Sequence, residues 1–279
     1  MWAQTYVNAQ PDGYHAIVPP HGAVLLRVSS KRRPVEKSLN IVFIGDSITQ
    51  GVFADYVSPA DAPPARAVDY LSKQPGVDQV NFSNEGHSGH TTVDALPATR
   101  TDFLQIEQAT TQLQSQNQGR LIFSVMLGTN DSAMNGPLGS PVSPQDYRKN
   151  LTAIIDNLLE KYPGSIVILH RPLWYSPNTY NAARYLAEGL NRLQSYFPQI
   201  DALIEAYRRT HSNRVFAGDR KAFDTFKKNY RAYLIPENGQ QGTFYLHPNE
   251  KGAQVLGRLW GEAIAAALSG SLSNVGGQE

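Results

Sequence analysis

Five short β-prone runs, Asn40–Ile44, Val77–Phe82, Leu121–Leu127, Ile166–Leu169 and Arg214–Phe216, are each separated from the next by a longer stretch with helical spacing. Strands that alternate with helices in this way pair in parallel, because each connection is long enough to cross back over the sheet. A parallel sheet needs helices on both faces to stay dry. The expected fold is therefore α/β: three layers, α/β/α, around a doubly wound five-stranded parallel sheet. Two of the helices are legible from their ends. Ser143-Pro144-Gln145-Asp146 offers a cap, a proline at the first helical position and an acid in the first turn. Tyr147, Leu151, Ile154, Ile155 and Leu158 then recur at helical spacing until Tyr162-Pro163-Gly164. The last helix is expected to begin at Pro248, with Leu256, Trp260, Ile264 and Leu268 on one face.

Residues 1–36 break this pattern and are expected to form a small β appendage and linker, ahead of the α/β domain over 37–279. Lys31-Arg32-Arg33 within the linker reads as a solvated basic run. With 25 Lys+Arg against 24 Asp+Glu, the chain carries no electrostatic footprint for nucleic acid or an anionic membrane. Its apolar runs stop far short of the roughly 20 residues that span a bilayer. The absence of cysteine removes disulfide frameworks, thiolate metal sites and cysteine nucleophiles. Met1-Trp2-Ala3-Gln4-Thr5-Tyr6 lacks the basic start and apolar stretch of a signal peptide, which leaves localisation open; a secreted protein whose signal segment is absent from this chain is one reading that fits.

There is no G-x-G-x-x-G, Walker loop, H-E-x-x-H or G-x-S-x-G in the chain. Three successive strands are instead expected to end in small, polar, glycine-containing turns: Gly45-Asp46-Ser47, Asn84-Glu85-Gly86 and Gly128-Thr129-Asn130-Asp131. In an open parallel sheet the carboxyl ends of the strands share one edge, where ligands bind. Convergence there gives each residue type a role in acyl transfer. A serine hydroxyl attacks a carbonyl when a base takes its proton, and the oxyanion that forms needs donors already aimed at it. Ser47 is the candidate nucleophile and His247, just before the last helix, the candidate base. Gly86 N–H, the Asn130 amide and Ser47 N–H are the candidate oxyanion donors.

These segments resemble the SGNH (GDSL-type) hydrolases, α/β esterases with Ser, Gly, Asn and His in four successive blocks. The blocks here read Ile44-Gly45-Asp46-Ser47-Ile48-Thr49, then Asn84-Glu85-Gly86-His87-Ser88-Gly89-His90-Thr91-Thr92, then Gly128-Thr129-Asn130-Asp131, then Leu246-His247-Pro248-Asn249-Glu250-Lys251-Gly252, over roughly residues 39 to 268. The resemblance implies a flavodoxin-like fold, Ser47 as nucleophile, Ser47 N–H, Gly86 and Asn130 as oxyanion hole, and His247 as general base. It implies no cofactor. A second, shorter likeness concerns Val18–Val28, which is similar to the closing strands of the small β domain of some α-galactosidase-type glycosidases.

One position departs from the family. Its members place an aspartate three residues before the histidine to hold the tautomer, and Phe244 stands there in this chain. The favoured expectation is a main-chain carbonyl accepting the His247 N–H, giving a Ser–His dyad. The alternatives are Glu237 or Glu250, the acids nearest in sequence, or Asp219 further back, or a site that has lost activity. Asp46 and Asp131 are expected to hold turns through side-chain-to-backbone bonds. His87 and His90 stand three apart without a visible third ligand, so no metal site is expected.

The segment after the fourth strand, Arg171–Asn178, is expected to reach the same rim, where Trp174 and Tyr175 would offer flat faces to a sugar ring, with Tyr56 and Tyr245 as companions. The expected activity is hydrolysis of short acyl esters, acetyl above all, on a small-molecule or polysaccharide substrate. A lipase or thioesterase of the same family, and a catalytically impaired carbohydrate-binding scaffold, are the rival readings.

Overall fold

The computed structural model describes residues 38–53 and 56–273. The appendage expected over 1–36 lies outside the described residues. In chain order the elements are β1 (Ser38–Gly45), α1 (Ser47–Gln50), β2 (Val52–Phe53), β3 (Tyr56–Val57), α2 (Pro63–Leu71), β4 (Gln79–Gly86), α3 (Phe103–Gln116), β5 (Arg120–Met126), α4 (Pro144–Lys161), β6 (Ile166–Leu169), α5 (Leu186–Ser195), α6 (Phe197–Thr210), β7 (Val215–Ala217), α7 (Ala222–Tyr233), β8 (Leu234–Gly239), β9 (Gly242–Pro248) and α8 (Glu250–Ser273). Five strands form the central sheet in the order β4-β1-β5-β6-β7, every pair parallel. Two antiparallel hairpins, β2–β3 and β8–β9, stand outside it.

Burial along the strands explains how each reads in sequence. From Leu39 to Gly45 every residue of β1 is buried, as an interior parallel strand covered on both faces must be. β4 lies at the sheet edge and is buried only at Gly86. Its polar residues make the sequence reading of Asn84-Glu85-Gly86 as a turn incorrect: they are strand, paired with Phe43, Ile44 and Gly45. An edge strand takes its order from main-chain bonds to its one neighbour, so side-chain hydrophobicity is a poor guide to where it ends.

The layers are held by aromatic contacts on opposite faces. On one, Trp260 of α8 stacks over Phe43 of β1 with centroids 6.1 Å apart, and α2 packs beside α8. On the other, Tyr162 at the end of α4 meets Phe123 of β5, while Tyr147 of α4 stacks on Tyr196 between α5 and α6 at 4.0 Å. Phe43 and Phe123 face apart because Phe123 is in register with Val42, one residue before Phe43. The first helix argued from its ends forms as expected, with Ser143 Oγ accepting from Asp146 N at 3.1 Å. The last one begins two residues later than expected. Pro248 closes β9, and Asn249 caps α8 by accepting from Gly252 N at 2.9 Å. A proline fits a strand end as well as a first helical turn, and asparagine is the stronger cap.

Register brings the polar segments together. Gly45 lies opposite Gly86 on one side and Met126 on the other, so the residues following β1, β4 and β5 leave the sheet at one edge. Glycine is obligatory in this crowded place. A Cβ on Gly45 would stand 2.0 Å from Thr49 Oγ1, and one on Gly86 would stand 2.3 Å from Gln50 N. Gly86 is thus required by close approach of α1; it is not among the glycines with positive φ.

Candidate active site

Ser47 opens α1 immediately after β1, and the ordinary structural task of a serine at a helix start is done by its neighbour. Asp46 Oδ1 accepts from Ile48 N at 3.0 Å, so Ser47 is left uncommitted to capping. Its hydroxyl instead lies 3.0 Å from His247 Nε2, two hundred residues away in sequence. Both residues are buried. Burial pushes the Asp46 carboxyl above its usual range, with the Ile48 N–H pulling it back.

The partner of the other histidine nitrogen is a side chain. His247 Nδ1 lies 3.0 and 3.1 Å from the two carboxylate oxygens of Glu237, and His247 N donates to the same carboxylate at 3.2 Å. This overturns the expected main-chain carbonyl and the Ser–His dyad. Since a carboxylate only accepts, Nδ1 carries the hydrogen and Nε2 presents its lone pair to Ser47. Glu237 sits on β8 directly across the hairpin from Phe244 of β9. Position 244, where the resemblance led to the expectation of an acid, faces Glu237 on the paired strand. A bulge shifts the ladder between Leu234 and Pro236, breaking the strict alternation that would otherwise separate Glu237 from His247. Phe244 is buried in the core. The other two acids are elsewhere: Asp219 accepts from Lys221 N and Ala222 N at the start of α7, and Glu250 is exposed on α8.

Asn130 follows β5 and is held at both ends of its amide. Tyr185 donates its hydroxyl to Asn130 Oδ1 at 2.6 Å, and Nδ2 donates one hydrogen to His90 O at 2.8 Å. The second hydrogen of Nδ2 remains for another acceptor. Tyr185 is a residue that sequence reading missed, because it belongs to no motif and sits at an irregular helix start. Gly86 N donates to Asn84 Oδ1 at 3.1 Å, so an oxyanion would have to displace that bond to use it. Ser47 N is a first-turn amide, without an acceptor inside its own helix.

Asp131 bonds across to another loop, where a bond within its own turn was expected. Its carboxylate accepts from Thr92 N at 3.0 and 3.1 Å and from the Thr92 hydroxyl, tying the segment after β5 to the loop after β4. Burial raises its pKa from 3.8 to about 7, against the pull of the Thr92 donors. The folded chain therefore keeps a proton that the unfolded chain loses near pH 4. The stability attached to this group is complete below that pH and is lost as pH rises through about 7, by at most about 4 kcal/mol. Urea midpoints at pH 4.5 and 7.5 check this: Asp131→Asn should gain on the wild type at the higher pH, and parallel behaviour of the two would contradict it.

Trp174 and Tyr175 are not at the rim. Tyr175 is fully buried, sharing a 2.8 Å hydrogen bond with Ser132 Oγ, and Trp174 packs on Tyr230 with centroids 5.6 Å apart. Neither has a free face for a sugar, because the loop after β6 turns its rings inward. Tyr245 packs edge-on against Tyr230, whereas Tyr56 is half exposed on the β2–β3 hairpin, which packs against β9. The expectation that His87 and His90 lack a third ligand is also corrected. Asp102, just before α3, lies 2.7 Å from His90 Nδ1 and 3.6 Å from His87 Nδ1.

The sequence model of the GDSL-like Lipase/Acylhydrolase family matches residues 43–255. Among solved structures, the fold is similar to that of an aryl esterase from M. smegmatis, at 18% identity and TM-score 0.54, covering 82% of this chain and 99% of that one. It is similar to a carbohydrate acetylesterase from Sinorhizobium meliloti, at 18% identity and TM-score 0.53, covering 81% and 98%. A putative GDSL-like lipase from Parabacteroides merdae gives 19% identity and TM-score 0.57, covering 85% and 99%. A search of curated proteins finds no match.

Proposed function

Because the chain belongs to the GDSL-like Lipase/Acylhydrolase family and is a hydrolase of the esterase type, we propose that it removes short acyl groups, acetyl above all, from carbohydrate esters through an acyl-Ser47 intermediate. The observation that carries the proposal is the continuous line from Ser47 Oγ to His247 Nε2 and from His247 Nδ1 to Glu237. His247 takes the Ser47 proton as Oγ attacks the acyl carbon, and Glu237 holds the imidazolium that results. The oxyanion meets Ser47 N–H and the second hydrogen of Asn130 Nδ2, with Gly86 N–H joining if it leaves Asn84. Such a donor contributes about 3 kcal/mol to the transition state. His247 returns its proton to the departing alcohol, then activates the water that releases the acid.

The substrate class is supported by the rim. The segments that follow Ser47 and Gly86 are polar: Asn84 donates to Thr49 O, Gln50 Oε1 accepts from Ser88 N at 3.1 Å, and His87, Ser88 and His90 follow Gly86. A hydroxyl-rich alcohol portion suits this lining better than a lipid chain does. Tyr56, the exposed ring on the adjoining hairpin, is the candidate platform for a sugar face in place of Trp174 and Tyr175. The acetylesterase among the structural neighbours belongs to the same substrate class. The test is the rate on p-nitrophenyl esters from acetate to octanoate, followed by acetylated glycans. We expect kcat/KM for acetate to exceed that for octanoate at least tenfold. A tenfold preference for octanoate would replace the carbohydrate ester with a lipid.

A further inference from the structure

We propose that His87, His90 and Asp102 form a binding site for a divalent transition metal of the zinc or cobalt type. The sequence builds it from a four-residue turn. In His87-Ser88-Gly89-His90, the N–H of His90 donates to His87 O at 3.2 Å and Gly89 takes φ of +80°. This turn brings the two imidazoles into a loose stack, ring centroids 5.1 Å apart and planes inclined by 28°. Asp102 arrives from the start of α3, and one ligand atom from each of the three lies within 4.8 Å of the others.

The decisive atom is His87 Nδ1. His87 Nε2 lies 2.7 Å from Gln105 Oε1, an acceptor, so the ring's hydrogen is on Nε2 and Nδ1 is a bare lone pair. That nitrogen is buried, has no hydrogen-bond partner and faces a carboxylate oxygen 3.6 Å away. Two acceptors pointed at each other call for a cation between them. Bonds of about 2.0–2.2 Å in a tetrahedral site put neighbouring ligand atoms about 3.3 Å apart, close to the His87–Asp102 separation. The 2.7 Å contact of His90 Nδ1 with the same oxygen opens by about half an ångström when the metal replaces the shared hydrogen. His90 Nδ1 then coordinates as a neutral ligand while its hydrogen moves to Nε2, and the carboxylate supplies one negative charge. Two imidazoles and a carboxylate suit zinc or cobalt, whereas magnesium and calcium prefer all-oxygen sites. Gln105, holding Nε2 of His87, is the kind of outer partner that fixes a metal-binding histidine.

The place of the site gives it a consequence. His87 follows Gly86, and the carbonyl of His90 accepts from Asn130 Nδ2, so a metal would fasten the loop that holds the oxyanion donors to α3. That consequence rests on the proposed role of Asn130; metal binding itself does not. The test uses tag-free, chelator-stripped full-length protein titrated with Co²⁺ and then Zn²⁺, reading visible absorption and retained metal by mass spectrometry. The wild type should retain one equivalent per chain. His87→Gln and Asp102→Asn should each weaken binding at least a hundredfold, and Gln105→Leu by 10- to 100-fold. The three variants guard against misfolding of any one. No retained metal in the wild type, or equal retention in all the variants, would overturn the proposal, whatever the esterase activity.

Discussion

Replacing Glu237 with glutamine is expected to lower kcat on p-nitrophenyl acetate by about 10⁴, with the fold intact. The carboxylate can only accept from His247 Nδ1, whereas a carboxamide can turn its NH₂ toward the ring. The hydrogen then moves to Nε2, and the imidazole can no longer take the Ser47 proton. The magnitude is that of the comparable acid-to-amide change in a serine protease triad. Glu237→Asp should retain part of the activity, because the charge survives but the arm is one methylene shorter in reaching across the hairpin. Glu250→Gln should leave the rate within twofold, since that residue is exposed on α8 while Glu237 holds His247 Nδ1. If Glu237→Gln stayed within tenfold of the wild type, the orienting role would belong to another group.

The larger loss is expected from Ser47→Ala, about 10⁶ in kcat. The fold should survive it, because the helix cap is Asp46 and Ser47 contributes to α1 only its main chain. Kinetics of Glu237→Gln and Ser47→Ala should not add. With the Ser47 hydroxyl gone, the orientation of His247 has no proton to govern, so the double variant should be as slow as Ser47→Ala alone.

What the sequence revealed and what it hid follow from how each residue reaches the site. Ser47, Gly86 and Asn130 lie at or just after the ends of parallel strands, and the parallel register carries all three to one edge. Linear order was sufficient for them. Glu237 reaches His247 across an antiparallel hairpin containing a bulge, and neither pairing nor bulge is written in the three-residue spacing that the family uses. The signal that was present is Gly239-Gln240-Gln241-Gly242, a two-residue loop between glycines; counting back from it sets Glu237 opposite Phe244. Trp174 and Tyr175 were misplaced for a different reason. An aromatic pair in a rim loop reads the same whether its rings point to solvent or inward, and only the hydroxyl of Ser132 and the ring of Tyr230 decide it. Tyr185 and Asp102 act through partners fifty-five and twelve residues away, distances at which no local pattern speaks.

The most direct test of the Ser47–His247–Glu237 arrangement is the rate at which a fluorophosphonate modifies the protein, followed by intact mass. The account predicts a single adduct, mapping to the peptide containing Ser47, in the wild type. Glu237→Gln should react at least a thousandfold more slowly and Ser47→Ala not at all. An adduct on Ser47→Ala, or labelling of Glu237→Gln at the wild-type rate, would contradict it.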